Sequence, residues 1–230
     1  MGRKSKLRRF AEVRGFTNVV EPHLQDVFGM DFHLKGKWSS SFFQNDHPLM
    51  LELACGKAEY SLGLARIFPG INFIGMDIKG ARIWRGAKTA LEERLHNVAF
   101  IRSRIEFVQS FFASREVAGI WIPFPDPQPR KSRAHKRLTS PPFLEKYSTF
   151  ISPGGDIHLK TDDHGLHVYT LDVIGDMGCE LCYASEDIYA DSHETLSAKE
   201  REALFTTTFY EKMHLAEGRK ITYIKFRLPQ

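Results

Sequence analysis

A doubly wound α/β sheet is the fold class that this 230-residue sequence predicts, on three observations. Short apolar runs alternate with amphipathic stretches of helix length from residue 49 onward. The first five runs are almost continuously apolar, as strands covered on both faces are. Small residues and acids recur just past the ends of the runs, where ligands bind in sheets of this kind. The expected architecture is a seven-stranded, mostly parallel sheet with a C-terminal antiparallel strand and helices on both faces.

The runs follow in order. Leu49-Met50-Leu51-Glu52-Leu53-Ala54 is the first, and Asn72-Phe73-Ile74-Gly75-Met76-Asp77-Ile78 the second. Val98-Ala99-Phe100-Ile101-Arg102, Gly119-Ile120-Trp121-Ile122-Pro123-Phe124 and Asp156-Ile157-His158-Leu159-Lys160-Thr161 follow. Glu180-Leu181-Cys182-Tyr183-Ala184 is weaker. Lys220-Ile221-Thr222-Tyr223-Ile224-Lys225-Phe226 alternates strictly, and these last two runs read as an antiparallel, hairpin-like pair. Helices are expected at 59–67, 81–95, 142–150, 165–177 and 197–205. The third starts at a proline pair, the fourth at Asp162-Asp163-His164, and the fifth at a Ser197-x-x-Glu200 capping box. Residues 29–47 mix Gly, Ser, Asn and aromatics without period and read mostly as loop. Residues 1–20 read as a basic, flexible arm, and 21–230 as a single domain.

Composition bounds the function. Hydrophobic residues at 42% exclude wholesale disorder. Three cysteines exclude a disulfide scaffold and point to a reducing compartment. No apolar run approaches ~18 residues, so no membrane contact is expected, and no secretory signal is visible. A cytoplasmic protein is expected. Cys179-x-x-Cys182 lies on an expected strand with its sulfurs on opposite faces, and no metal is expected. The net charge is +4, yet residues 1–9 carry five cations and 130–137 five more, leaving −6 on the remainder. An acidic body with two compact cationic patches suits a polyanionic partner.

The residues past each run carry the candidate chemistry. Gly56, between the small Ala54 and Ala58, lets a backbone approach a ligand, or simply makes a tight strand-to-helix turn. Its spacing is not the G-x-G-x-x-G of dinucleotide binding. Asp77 ends the second run and reads equally as an acceptor for ribose hydroxyls or as a helix cap. Four prolines at alternate positions, 123 to 129, make a stiff loop that holds Asp126 beside the basic run. Asp162 and Asp163 follow the fifth run, and one of the two is expected to cap a helix. Thr206-Thr207-Thr208-Phe209-Tyr210 offers hydroxyls and a stacking face, or a helix start with its aromatics in the core.

Together these residues resemble the tRNA (guanine-N7-)-methyltransferase family, of the Rossmann-like class I S-adenosylmethionine-dependent fold. Leu51-Glu52-Leu53-x-Cys55-Gly56 resembles its first motif and Gly75-Met76-Asp77-Ile78 its second. Phe124-Pro125-Asp126-Pro127 followed by the basic run is the most specific element. Lys160-Thr161-Asp162 and Thr208-Phe209-Tyr210-Glu211 complete the order. The resemblance implies that Glu52, Gly56, Asp77 and Asp126 bind S-adenosylmethionine, with Asp126 also in the catalytic pocket. The family's acid or amide after the third strand falls at Ser103, a departure from the pattern. Arg130 stands where the family has lysine, and it is implied to bind substrate with Asp162, Thr208, Phe209, Tyr210 and Glu211. Ala54 and Ala58 stand where glycines are common. The implied partner is tRNA, with guanine 46 of the variable loop as the target, and the implied state is a monomer or homodimer.

The residue types suit that chemistry. N7 of guanine has a lone pair and no proton, so attack on a sulfonium methyl requires positioning and nearby carboxylates rather than a general base. Asp126 or Asp162 can accept from the guanine N1–H and N2 amino edge, which adenine lacks. The basic run and arm can hold phosphates. Three other readings compare less well. An amine-directed methyltransferase would carry Asn or Asp followed by two prolines and an aromatic. A nicotinamide oxidoreductase would carry the missing glycine spacing. A non-catalytic RNA-binding module would not need Glu52, Asp77, Asp126 and Asp162 together.

Overall fold

β-Branched and aromatic runs bounded by Gly, Pro and Asp make the strands, and each strand is placed by what its neighbour buries. The computed structural model describes residues 3–229, with side chains from residue 7 onward. Met1 and Gly2 of the expected arm, and the side chains of its cations Arg3, Lys4 and Lys6, lie outside the described residues. The chain forms two compact units, Met1–Ala113 and Ser114–Gln230.

The first unit holds α1 (Arg3–Val13), β1 (Val19–Val20), β2 (Leu49–Leu53), α2 (Glu59–Ile67), β3 (Asn72–Asp77), α3 (Gly80–Glu92) and β4 (Val98–Arg102). Its strands run in the order β1-β4-β3-β2, all parallel. Leu51, Leu53, Ile74, Met76, Phe100 and Ile101 are buried, as expected of strands covered on both faces. Helix α2 matches its expected span. Helix α3 stops short of residue 95 because Arg94 turns left-handed (φ +56°) and the Leu95 N–H returns to the Ala90 carbonyl at 2.9 Å.

Two segments differ from the sequence reading. Residues 3–13, read as an arm, form helix α1, which packs against α3 through a hydrogen bond from the Trp84 indole N–H to Glu12 (2.7 Å). The stretch read as loop at 29–47 contains a wide helical turn at Trp38–Phe43. Trp38 there is fully buried against Phe112, and its indole N–H donates to the Phe111 carbonyl at 2.8 Å. The aperiodic sequence hid two core residues, Phe32 and Trp38, that anchor the stretch. The two-residue β1 is a strand beyond the seven expected, too short to show any period.

The second unit holds β5 (Val117–Pro123), α4 (Pro141–Ser148), β6 (Ile151–Thr161), α5 (His164–Asp176), β7 (Glu180–Ser185), α6 (Ala198–Leu204), α7 (Phe209–Ala216) and β8 (Thr222–Arg227). Its strand order is β5-β6-β8-β7. β5 and β6 are parallel, while β8 lies antiparallel to both β6 and β7. The last two strands are thus an antiparallel pair, with two helices between them in place of a hairpin turn. Both expected caps form: Ser197 and Glu200 close their capping box on α6, and Asp163 accepts from the Leu166 N–H at 2.6 Å on α5. His158 on β6 stacks on Trp121 with ring centroids 3.9 Å apart and bonds the Tyr223 hydroxyl at 2.7 Å. Burial pushes this imidazole down to about 3, so it stays neutral. Among the described residues no helix is long and apolar enough to cross a membrane.

One ion pair ties the helices after β7 to the sheet of this unit. Lys160 on β6 and Glu211 on α7 meet at 2.7 Å with neither side chain exposed. The ammonium also donates to the carbonyls of Leu204 and Thr206, and the Tyr189 hydroxyl donates to Glu211 at 2.8 Å. Burial pulls the Lys160 ammonium down and Glu211 opposes that pull. Removing one partner leaves a buried charge uncompensated, at a cost of about 3–5 kcal/mol. Lys160→Met should therefore lose stability of that order in urea denaturation, and Lys160→Met/Glu211→Leu should recover most of it. A double variant as unstable as the single one would show that the pair is not the cause.

Candidate active site

Parallel strands leave their carboxyl ends on one edge, and the candidate residues of each unit gather there. In the first unit the loop after β2 alternates left-handed residues: Ala54 (φ +59°), Gly56 (φ +57°) and Ala58 (φ +60°). Two alanines in this conformation cost on the order of 1 kcal/mol or more each, which is the physical reason glycine suits these places. The Ala58 methyl is fully buried against α3, where a Cβ on Gly86 would stand 2.5 Å from it and 2.7 Å from the Lys57 carbonyl. Only a glycine at 86 admits the loop at this distance.

Asp77 holds the loop from the other side. One of its oxygens accepts from the Gly56 N–H at 2.9 Å and the other from the Lys79 N–H at 2.8 Å. The helix cap on α3 falls at Lys79, so Asp77 is no cap itself. Each carboxylate oxygen keeps a further lone pair for a ligand hydroxyl. Glu52, buried on β2, accepts from the N–H of Ser61 at 2.7 Å and also from its hydroxyl, and so braces the first turn of α2. Burial pushes the Glu52 carboxyl up to about 8, against the two Ser61 hydrogen bonds, with Asp77 and Glu59 adding to the rise. Burial likewise keeps the neighbouring Cys55 thiol protonated.

Ser103 follows β4 and lines a cavity of about 660 Å³ together with Ile78, Arg104, Phe107 and Glu21. Ile78 is 54% exposed at this edge. Glu21 is held by Arg102 at 3.1 Å and lies in a segment without any motif, so sequence reasoning passed over it. An adenosyl cofactor needs acceptors for two ribose hydroxyls, an apolar surface for the purine and room for both. Asp77, Ile78 and this cavity supply them, so the residues present fit the group.

In the second unit Pro123 pairs with Lys160, so Asp126 and Asp162 leave the same edge of β5 and β6. The proline loop is held in a strained shape, with Phe124 at φ +50° and Gln128 at φ +45°. Asp126 is exposed and accepts from the Gln128 N–H at 3.0 Å. Arg137 donates to the carbonyls of Pro127 (3.1 Å) and Gln128 (3.3 Å), and its guanidinium lies 4.1 Å over the Tyr169 ring. It therefore clamps the loop, while Arg130, Lys131, Arg133 and Lys136 stand exposed along a 3₁₀ turn. Asp162 accepts from Arg219 at 2.8 Å and lies 3.4 Å from the His214 imidazole, which stacks on Phe124. No motif signalled His214 or Arg219.

The segment 208–211 divides in two. Thr208 caps α7 and Glu211 is committed to Lys160, so both hold the helix start. Phe209 and Tyr210 are 52% and 38% exposed, outside the core, with rings at 5.8 Å edge to face. The structure thus brings Glu52, Gly56, Asp77 and Ser103 to the edge of one unit, and Asp126, Arg130, Asp162 and 208–211 to the other. Among the described residues no three metal-ligating side chains cluster.

Residues 46–223 match a family model described as a putative methyltransferase. The chain is 50% identical to the tRNA (guanine-N(7)-)-methyltransferase of Christiangramia forsetii over 99% of this chain and 100% of that protein. It is 45% identical to the enzyme of the same name from Bacteroides thetaiotaomicron, over 99% of this chain and 87% of that one. In fold it is similar to the 16S rRNA methyltransferase KamB, with a TM-score of 0.58 at 14% identity over 79% of this chain and 88% of that one.

The raised Glu52 carboxyl makes stability pH-dependent. Its folded value lies above the unfolded 4.5, so its full contribution is present below about pH 4.5 and is lost as pH rises toward about 8. Glu52→Gln keeps the Ser61 contacts without the charge. It should stabilise the ligand-free protein by a few kcal/mol at pH 8 and by less than about 1 kcal/mol at pH 5. Thermal melts at both values check this, and an equal gain at both would refute the assignment.

Proposed function

The chain belongs to the tRNA (guanine-N(7)-)-methyltransferase family, and on that premise we propose that it methylates N7 of guanine 46 in the variable loop of tRNA. The full-length likeness to the Christiangramia enzyme carries this reading, and the geometry within each unit supports it. The S-adenosylmethionine donor, when bound, supplies a methyl carbon made electrophilic by its sulfonium. In the first unit Asp77 accepts the ribose hydroxyls, the loop at Gly56 gives close backbone approach, and Glu52 braces that loop. Ser103 borders the purine pocket and offers it a hydroxyl.

In the second unit Asp126 and Asp162 do the work at the base. The N7 lone pair attacks without losing a proton, so no general base is required. As the N7–methyl bond formed, the carbon–sulfur bond would break with its electrons going to sulfur, which would leave as a neutral thioether and leave the positive charge on the guanine. A carboxylate facing the N1–H and N2 amino edge orients the base and stabilises that charge. Arg219 fixes Asp162 through one of its oxygens, beside which the His214 imidazole lies. The Arg137 clamp keeps Asp126 in place before RNA arrives. Arg130, Lys131, Arg133 and Lys136 take the phosphates, and Phe209 and Tyr210 present faces to the RNA. The enzyme acts in the cytoplasm as a monomer or homodimer.

The test is methyl transfer from labelled S-adenosylmethionine to unmodified tRNA transcripts, beside a transcript with guanine 46 replaced by adenine. Label on the first and none on the second is expected. Label on both would overturn the position, and label on neither, with the donor bound, would overturn the acceptor. Asp126→Asn and Asp162→Asn should each lower kcat/KM by about 10²–10³. An unchanged kcat/KM in either variant would remove that residue from the base site.

A further inference from the structure

We propose that the face of α3 around Trp84, with Lys57 and Arg9, is a phosphate-contact surface for the RNA substrate, separate in sequence from the basic run at 130–137. This inference rests on the reading of tRNA as the substrate. A cavity of about 580 Å³ in the first unit is lined by Arg9, Lys57, Glu59, Arg82, Trp84 and Arg85, with Ala81 at its edge. Four of these residues are cations and one is a carboxylate. Arg82 and Arg85 are one helical turn apart and share a face of α3. Lys57 sits in the left-handed loop between Gly56 and Ala58, so the surface borders the candidate cofactor loop.

The charge here is not an average sample of the protein surface. Outside residues 1–9 and 130–137 the chain sums to −6, yet three cations of that remainder, Lys57, Arg82 and Arg85, gather here with Arg9 against the single carboxylate of Glu59. A recess with net positive charge attracts anions. Guanidinium groups suit phosphate oxygens because their paired N–H donors match that geometry. Trp84 adds an aromatic face. The Arg9 guanidinium lies 4.5 Å from its centroid and the Lys88 ammonium 5.2 Å. Its N–H is held by Glu12, whose carboxyl the hydrogen bonds from Arg8 and Trp84 keep below the ordinary range. The indole is thereby fixed in orientation with cations ranged around it. Fixed aromatic and basic side chains in one groove are what a single-stranded or loop segment of RNA recognises.

Each phosphate contact contributes about one unit to the slope of log affinity against log salt. The experiment titrates fluorescent tRNA against wild type, Arg85→Gln and Arg82→Gln/Arg85→Gln between about 50 and 200 mM salt. Arg66→Gln, which removes a cation paired with Glu93 at 2.6 Å on α2, serves as the charge-matched control. The slope should fall by about one for the single variant and about two for the double. S-Adenosylmethionine affinity and the melting temperature should match wild type in both. Unchanged slopes in a wild-type background that binds and methylates tRNA would overturn this surface while leaving the proposed function standing. An equal loss in Arg66→Gln would also overturn it, because the effect would then be net charge. Failure of wild type itself to bind or methylate tRNA would instead refute the function on which the proposal rests.

Discussion

A lysine and a glutamate, both fully buried, hold the candidate base site of the second unit in place. Lys160 lies two residues before Asp162, and Glu211 lies in the first turn of α7. Their contact fixes helix start and strand end together, and the carbonyls of Leu204 and Thr206 complete the ammonium's shell. Buried pairs of this kind gain little over apolar packing but tolerate only one arrangement. Everything local to Asp162 follows from that arrangement. His214 is carried one turn further along α7, to lie on Phe124 and beside the Asp162 carboxylate.

The first unit reaches order by a different route, through backbone rather than charge. Three alternate residues of one loop take a left-handed shape, and Asp77 receives the Gly56 N–H that this shape presents. Strain of this sort persists only where surrounding structure over-determines it. Here the determinants are Glu52 on one side of the loop and α3 on the other. The backbone of this candidate cofactor loop is therefore set by the protein's own contacts.

What could be read from the sequence was local. Strand–helix alternation, the capping box at Ser197 and the choice between Asp162 and Asp163 as helix cap all depend on residues a few positions apart. Asp77 was legible as a candidate ligand acid because it ends a strand. The unread parts depend on distant partners. Trp38 was hidden in an aperiodic stretch because its support, Phe111 and Phe112, lies some seventy positions away. Helix α1 was missed because its first turn is cationic and holds no acid, while the Trp84 that anchors its Glu12 stands seventy-two positions on. The segment 208–211 looked uniform, yet burial divided it into two residues that hold the helix and two that face outward.

The contact between Ala58 and Gly86 has a consequence for how such sequences drift. The space between loop and helix holds one methyl group, and at present the loop owns it. A methyl added at 86 has nowhere to go: losing the one at 58 would remove the 2.5 Å clash, yet the Lys57 carbonyl would still stand 2.7 Å away. Position 86 is therefore held to glycine by the loop backbone as well as by the methyl at 58, although twenty-eight positions separate the two sites. The back of the helix is in this respect governed by the loop.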